Sequence, residues 1–185
     1  MATFQVGCNE YTVSGTIGSV PTTYSELVGH ARFHDDFGIK GADGTTLVVT
    51  VESAAAHWPE LVVSQRFDPG PEAGFHPGAL LVPETHLLVL GAGDRLLAYD
   101  LRAVKRLWED VANTGFWSWK RHGDVIVMSA ELELAAWDIE GKKLWTMFVE
   151  PPWGYDVQDS RLCLEVMGQE SDFDLKIGPE AGSIG

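Results

Sequence analysis

The C-terminal half of the chain alternates short apolar runs with turns rich in glycine and acidic residues. Each run spans about four to eight residues and is enriched in β-branched and aromatic side chains, a pattern typical of strands. Because the links between runs are short, we expect antiparallel hairpins. The predicted strands form two sets of four: residues 86–92, 95–101, 104–110 and 116–121, then 124–130, 133–139, 142–149 and 153–158.

These two sets repeat one another in sequence. Residues 96–101 (Leu-Leu-Ala-Tyr-Asp-Leu) return as residues 134–139 (Leu-Ala-Ala-Trp-Asp-Ile), and Asp100 and Asp138 lie 38 residues apart. A fixed period of this size indicates a fold built from stacked supersecondary units. We therefore predict a single domain, 1–185, with a diverged unit at 41–85, repeats at 86–121 and 124–158, and a partial repeat at 161–178.

The repeated segments also carry a recognisable motif. Ala98-Tyr99-Asp100 leads to Trp108, and Ala136-Trp137-Asp138 leads through Gly141-Lys142 to Trp145. This resembles the Ala-x-Asp…Gly-Lys…Trp signature of quinoprotein-like propeller repeats and, more loosely, WD-type blades, over roughly residues 79–178. The resemblance implies an all-β antiparallel meander of about three blade-like four-stranded units, as in a partial propeller. The first repeat departs from the signature, because Val104 stands where the glycine would fall.

The resemblance carries over no cofactor, because the chain has no counterpart of the residues that bind the redox cofactor in the enzymes of that family. The first 40 residues differ from the repeats, and we expect an irregular segment with one short helix near 23–33. A threonine or serine cap and an acidic first turn favour that helix. The glycine-rich tail, residues 179–185, is expected to be flexible.

Composition narrows the range of functions. The chain has 27 acidic and 13 basic residues, a net charge of −14, which disfavours binding to nucleic acid or to anionic lipid. There is neither a signal-peptide pattern nor an apolar run long enough to span a membrane. With only Cys8 and Cys163, far apart in sequence, we expect reduced thiols and a cytoplasmic location.

One cluster has the spacing of metal ligands. If the helix continued through residue 36, His30 and His34 would point to one side, with Asp35 and Asp36 nearby, an arrangement that could bind a metal for hydrolysis. The glutamate of the zincin motif is missing. No nucleophile elbow, phosphate loop or dinucleotide fingerprint occurs elsewhere. We therefore expect no catalytic activity, with a metal-assisted hydrolase as the alternative.

Aromatic residues form a second candidate feature. Trp117 and Trp119 are two residues apart on one predicted strand, as are Trp153 and Tyr155 on the matching strand, so each pair is predicted to share a face. Packing between blades is one reading of these side chains. A groove that anchors a protein partner is the other.

In an antiparallel meander, successive strands run in opposite directions, so the links between them fall alternately at two rims. The charged residues of this chain are then predicted to separate between the two rims. Links on one rim are rich in acids, and nine basic residues gather at the other, with Arg95 the exception. The basic set is Arg102, Lys105, Arg106, Lys120, Arg121, Lys142, Lys143, Arg161 and Lys176. The predicted partner-binding residues on the acidic rim are Glu109, Asp110, Phe116, Trp117, Glu131, Glu133, Glu150, Trp153 and Tyr155.

Together these observations favour a non-catalytic module that binds a basic protein partner, such as an immunity or inhibitor protein that covers a toxin or an enzyme. Two alternatives stay open. One is the metal-assisted hydrolase at His30, His34, Asp35 and Asp36. The other is a structural protein that self-assembles into homo-oligomers by pairing exposed strand edges.

Overall fold

A computed structural model describes residues 1–39, 44–70 and 75–180 of the chain, and in these ranges it contains sixteen strands and one short helix. The strands form four sheets that follow one another along the sequence. The all-β fold class and the blade-like antiparallel meander are therefore confirmed. No helix in the described ranges is long and apolar enough to cross a bilayer.

The first sheet has five strands in the order β1-β2-β4-β5-β3, and only β3 runs parallel to its neighbour. Helix α1 and β3 lie between β2 and β4 in sequence, so they form an insertion that adds an outer strand. The elements are β1 (Ala2–Gly7), β2 (Tyr11–Gly18), α1 (Tyr24–His30), β3 (Phe33–Phe37), β4 (Thr45–Ser53) and β5 (Leu61–Phe67).

This sheet corrects the prediction for the N-terminal region. The first 40 residues supply three strands rather than an irregular segment, and the helix ends at His30 instead of near residue 33. The helix stops because Ala31 adopts an extended conformation, which starts the chain into β3. The tail residues 181–185, predicted to be flexible, lie outside the described residues.

The second and third sheets are four-stranded antiparallel meanders, and each joins consecutive strands. The fourth sheet follows the same course but contains three strands. The strands are β6 (Gly78–Val82), β7 (Leu87–Ala92), β8 (Arg95–Asp100) and β9 (Lys105–Val111); then β10 (Phe116–His122), β11 (Val125–Ala130), β12 (Glu133–Asp138) and β13 (Lys143–Phe148); and finally β14 (Trp153–Gln158), β15 (Arg161–Val166) and β16 (Gln169–Asp174).

The sheets are grouped one strand earlier than the predicted sets. The strand at 116–121, placed last in the first repeat, begins the third sheet, and 153–158 begins the fourth. Likewise Ala79–Val82, placed in the diverged unit, belongs to β6 of the second sheet. The period of a repeat fixes the spacing of equivalent strands but does not identify the strand at which a sheet starts. The strand at which each sheet starts is determined by the links that cross from one sheet to the next, such as the link from β9 to β10.

The sheets stack face to face, and a separate apolar cluster fills each interface. One cluster joins the first and second sheets, another the second and third, and another the third and fourth. A smaller cluster, with Ile39, Val48 and Val62, seats α1 on the first sheet. Strand β6 contacts both β1 and β10, so the first strands of successive sheets lie side by side. This is the arrangement of blades in a partial propeller.

Candidate protein-binding surface

The predicted metal cluster is not assembled. Helix α1 ends at His30, and His34, Asp35 and Asp36 lie in β3, so the two histidines are not helical neighbours. His30 instead stacks on Trp58 with ring centroids 4.0 Å apart. In the described ranges, no group of three histidine, cysteine or acidic side chains is placed to hold a metal ion. The geometric premise of the metal-site prediction is therefore wrong.

His34 and Asp36 belong to a hydrogen-bond network that fastens α1 to the first sheet. The Tyr24 hydroxyl lies 3.0 Å from His34 Nε2 and 2.9 Å from Ser64 Oγ. Ser64 is fully buried, and its hydroxyl donates to Asp36 Oδ1 at 3.2 Å. Because Ser64 is shielded from water, its hydroxyl depends on these partners, and the network holds the helix in place.

Asp35 joins the first sheet to the second. The Tyr99 hydroxyl donates to Asp35 Oδ2 at 3.0 Å, and Arg106 Nη1 lies 3.0 Å from the same oxygen. Burial, reinforced by the Asp35 charge, raises the pKa of Tyr99 well above its usual value, so the phenol stays protonated and donates. These contacts are structural, and they leave Asp35 committed to its two partners.

The links between strands alternate between two rims, as the threading predicts. We define the acidic rim as the links at 93–94, 112–115, 131–132 and 149–152, and the opposite rim as those at 83–86, 101–104, 123–124 and 139–142. The opposite rim is not a continuous positive surface, because carboxylates lie there too. Arg121 pairs with Glu84 at 3.0 Å, and Lys176 pairs with Asp124 at 2.9 Å.

Three of the predicted acidic contacts are already engaged within the chain. Glu109 pairs with Arg95 at 2.9 Å, and Asp110 pairs with Lys143 at 2.8 Å. Glu133 is only 8% exposed; its carboxylate accepts a 2.7 Å hydrogen bond from the Asn113 backbone N–H. The other carboxylate oxygen of Glu133 accepts from the Thr146 hydroxyl at 2.6 Å. The Glu133 carboxylate therefore stabilises the rim through buried hydrogen bonds and is unavailable to a partner.

Glu131 and Glu150 are the predicted acids that stay available. Glu150 is exposed and Glu131 is half-buried. Among the described residues, neither carboxylate has an ion-pair or hydrogen-bond partner. Their charges are therefore not neutralised by the chain, and they can act on an approaching molecule.

The prediction for Phe116 is wrong. Its side chain is fully buried between the second and third sheets, where its ring closes over Gly78 and Gly91. A Cβ at Gly91 would lie 2.5 Å from the Phe116 ring, so the close approach of the two sheets requires glycine at that position. Phe116 is consequently a core residue and cannot contact a partner.

Trp117 and Trp119 face opposite sides of the third sheet. The register between β10 and β11 shifts between Phe116 and Ser118, and a β-bulge of this kind breaks the two-residue alternation. Trp119 is buried against Trp137, whereas Trp117 is 39% exposed and stacks on Trp153 of the fourth sheet at 5.2 Å. Trp117 therefore reaches the surface, supported by a second indole.

The stack continues from Trp153 to Tyr155 at 6.5 Å, and His122 meets the Tyr155 ring edge-on at 6.1 Å. Lys120 places its ammonium 5.5 Å from the Tyr155 ring centroid, within the range of a cation–π contact. Burial raises the pKa of the Tyr155 phenol. Trp153 and Tyr155 are half-buried, so they support Trp117 more than they contact solvent.

We expect His122 to make stability depend on pH. Burial, and then the nearby Lys120 charge, lowers the pKa of His122 below 6.5. As pH falls below about 6.5, the unfolded chain binds a proton more readily than the folded one, so stability decreases. Urea midpoints measured at about pH 7.5 and about pH 5.5 should differ less in His122→Gln than in the wild type. His57→Gln, at an exposed histidine, is the control, and an equal effect in both variants would refute the assignment.

Two exposed apolar residues beside the acidic rim were not predicted from the sequence. Val111 ends β9 and is 62% exposed, and Phe148 ends β13 and is 59% exposed. A signal for them existed, because Phe148 follows Val111 by 37 residues, the offset that also relates Trp108 to Trp145. The repeat thus places an exposed apolar side chain at the same corner of two successive sheets.

Hydrogen bonds to backbone carbonyl groups fix the loops that carry these residues. Glu131 N–H donates to Thr114 O at 3.1 Å, Val149 N–H donates to Leu132 O at 3.3 Å, and Trp153 Nε1 donates to Glu131 O at 3.0 Å. The loops are therefore organised before any partner arrives. We use the name rim surface for five residues at this rim: Val111, Trp117, Glu131, Phe148 and Glu150.

No protein-family profile matches the chain, and no curated protein sequence is significantly similar to it. Among solved structures, it is similar to Kluyvelomyces marxianus Hsv2, with a TM-score of 0.36, 8% identity, and coverage of 72% of this chain and 48% of that one. It is also similar to BamB from Moraxella catarrhalis, with a TM-score of 0.40, 14% identity, and coverage of 71% and 47%.

Hsv2 and BamB are β-propellers, and this chain spans about half the length of each. The similarity is low, so the fold assignment rests on the sheet topology of the chain itself. That topology defines an all-β protein with a partial propeller-like arrangement of sheets, as the repeat motif predicted.

Proposed function

We propose that the chain is a non-catalytic protein-binding module whose partner docks on the rim surface. The observation that carries the proposal is that exposed apolar side chains lie on the same rim as carboxylates with no partner in the described ranges. Val111 and Phe148 are each about 60% exposed, and Glu131 and Glu150 are unpaired. Apolar anchors with charges around them are the usual composition of a binding hot spot.

The chemistry of this surface favours a basic partner with an apolar patch of its own. The chain carries a net charge of −14, which attracts positively charged proteins over distances of about 10 Å at moderate salt. Contact between the apolar groups would then hold the complex together. We therefore expect the association rate to fall steeply with salt, while dissociation depends mainly on Val111, Phe148 and Trp117.

An immunity or inhibitor protein is the specific role that this proposal fits. A rigid acidic surface suits the covering of a basic toxin or enzyme, because preorganised loops reduce the entropy lost on binding. If this role is correct, the captured partner will have an enzymatic or toxic activity that is suppressed in the complex. A partner whose activity is unchanged in the complex would support binding but refute inhibition.

We expect Phe148→Ser and Val111→Ser each to weaken partner binding about tenfold or more, because each removes an apolar anchor from the rim surface. Stability should change by less than about 0.5 kcal/mol, since both side chains are exposed. The measurement is quantitative capture from a lysate of the source organism, comparing wild type and variants by mass spectrometry.

Leu107→Ser is the matched control, because Leu107 is also exposed, at 41%, and lies in the same outer strand as Val111 but outside the rim surface. It should recover the same proteins as the wild type. The proposal is wrong if Leu107→Ser loses as much of the partner as Phe148→Ser, or if none of the variants loses any.

A further inference from the structure

Among the described residues, no strand pairs with the outer edge of β16 in the fourth sheet. In the second and third sheets the third strand pairs with a fourth, β9 or β13, whereas β16 is the third and last strand of its sheet. The β15–β16 register is regular over six residue pairs. The outer pairs of the complete sheets instead contain a register shift, at Ala98/Tyr99 and at Ala136/Trp137. Such bulges twist an outer strand and discourage further pairing, a protection that the β15–β16 pair lacks.

The direction of the free backbone groups follows from the hydrogen-bond pattern. Leu175 N–H donates to Ser160 O at 2.8 Å, so it points toward β15. Because the direction alternates along a strand, Ser171 and Phe173 also donate inward. The N–H groups of Glu170 and Asp172 therefore point to the open edge. They can pair with an extended segment laid along β16.

The exposed side chains on the outer face of this sheet include four acids, of which Glu170 and Asp172 lie on β16 itself. Asp156, Glu165, Glu170 and Asp172 are exposed and line an open depression of about 600 Å³ on the outer face of the sheet. Glu165 and Glu170 are direct cross-strand neighbours, so their charges repel one another. Arg161 pairs with Asp172 and offsets part of this negative charge. A cationic ligand would relieve this repulsion.

We propose that an extended, lysine- or arginine-bearing segment of another protein binds along β16 as a fourth strand of this sheet. Main-chain hydrogen bonds to Glu170 and Asp172 provide the pairing, and the carboxylates select the basic residues of the segment. A second copy of the chain fits poorly, because pairing β16 with itself would bring Glu170 and Asp172 against the same acids. This site lies apart from the rim surface, and it does not depend on the function proposed for that surface.

The test uses a synthetic peptide of alternating lysine and valine, about eight residues long, titrated into the purified chain and followed by calorimetry. Asp172→Ala removes the charge but keeps the N–H, so we expect binding to weaken about two- to fivefold. Asp172→Pro also removes the N–H that faces the open edge, so we expect a loss of at least about tenfold relative to Asp172→Ala. A lysine–valine peptide N-methylated on alternate residues should not bind the wild-type chain, which tests the same hydrogen bonds without altering the protein.

Hydrogen exchange locates the peptide independently. Its binding should protect the amides of Glu170 and Asp172 and should survive in Glu131→Lys/Glu150→Lys, which separates this site from the rim surface. The proposal is overturned if the N-methylated peptide binds equally well, if a glutamate–valine peptide binds as tightly, or if protection appears at residues 111–115 instead. Concentration-dependent dimerisation through β16 would also overturn it, because the occupant would then be a second copy.

Discussion

Trp137→Ala should lower the free energy of unfolding by about 3–5 kcal/mol. The Trp137 side chain is 2% exposed and lies between the second and third sheets. It stacks on Trp108 with centroids 5.5 Å apart and meets Trp119 edge-on at 5.4 Å. Truncation would leave a large cavity at an interface that holds two sheets together, and a loss of this size is a large part of the total stability of a typical domain.

Urea unfolding, followed by circular dichroism, measures this effect, and Trp117→Ala supplies a matched comparison. Both variants delete an indole, but Trp117 is 39% exposed, so its removal should cost about 1 kcal/mol. Equal losses in the two variants would mean that Trp117 and Trp137 are equally buried. That result would contradict both the bulge in β10 and the stacking of separate sheets.

Reversing both free charges, in Glu131→Lys/Glu150→Lys, should weaken partner binding at least about fiftyfold, because like charges brought together at an interface cost several kcal/mol. The main effect should be on the association rate, measured by surface plasmon resonance at several salt concentrations once the partner has been captured. Stability should change little, since neither carboxylate has a partner in the described ranges.

Glu52→Lys/Glu140→Lys is the charge-matched control. Each double variant changes the net charge from −14 to −10, but Glu52 and Glu140 are exposed sites away from the acidic rim. If binding depends on the rim surface, the control should retain most of the affinity of the wild type. A similar loss in both double variants would show that only the total charge matters, and it would remove the argument for a defined docking site.

Hairpins and repeats could be predicted because their signals are local. The alternation of apolar runs and turns located the strands from β7 to β16, and the Asp100–Asp138 offset identified the repeat. The strand at which each sheet begins could not be predicted in this way. It depends on which strand edges meet after the chain crosses from one sheet to the next, and that is a tertiary property.

The N-terminal strands were missed for two different reasons. In β2, the side chains of Tyr11, Val13 and Ile17 alternate with polar residues, so a two-residue period was present and was overlooked. In contrast, β3 pairs in parallel with β5, which lies more than twenty residues further along the chain. Pairing over that distance leaves no local pattern, and the same segment therefore looked like the end of a helix with clustered metal ligands.

The sequence predicted which links share a rim, but not which side chains of that rim are exposed and unpaired. Strand alternation correctly assigned the links to two rims, which brought Glu131 and Glu150 to the acidic one. The sequence could not show that Lys143 would neutralise Asp110, because those residues come from different sheets. Nor could it show the bulge that turns Trp117 outward, since a bulge depends on the partner strand.

Amide hydrogen exchange on the purified complex tests the central claim most directly, because it maps where the partner sits. We predict slower exchange, relative to the free chain, at residues 111–115, 131–132 and 148–153, with no change at the opposite-rim links 101–104 and 139–142. Protection confined to the opposite rim or to the outer face of the fourth sheet, with the acidic rim unaffected, would contradict the proposal that this protein binds its partner through the rim surface.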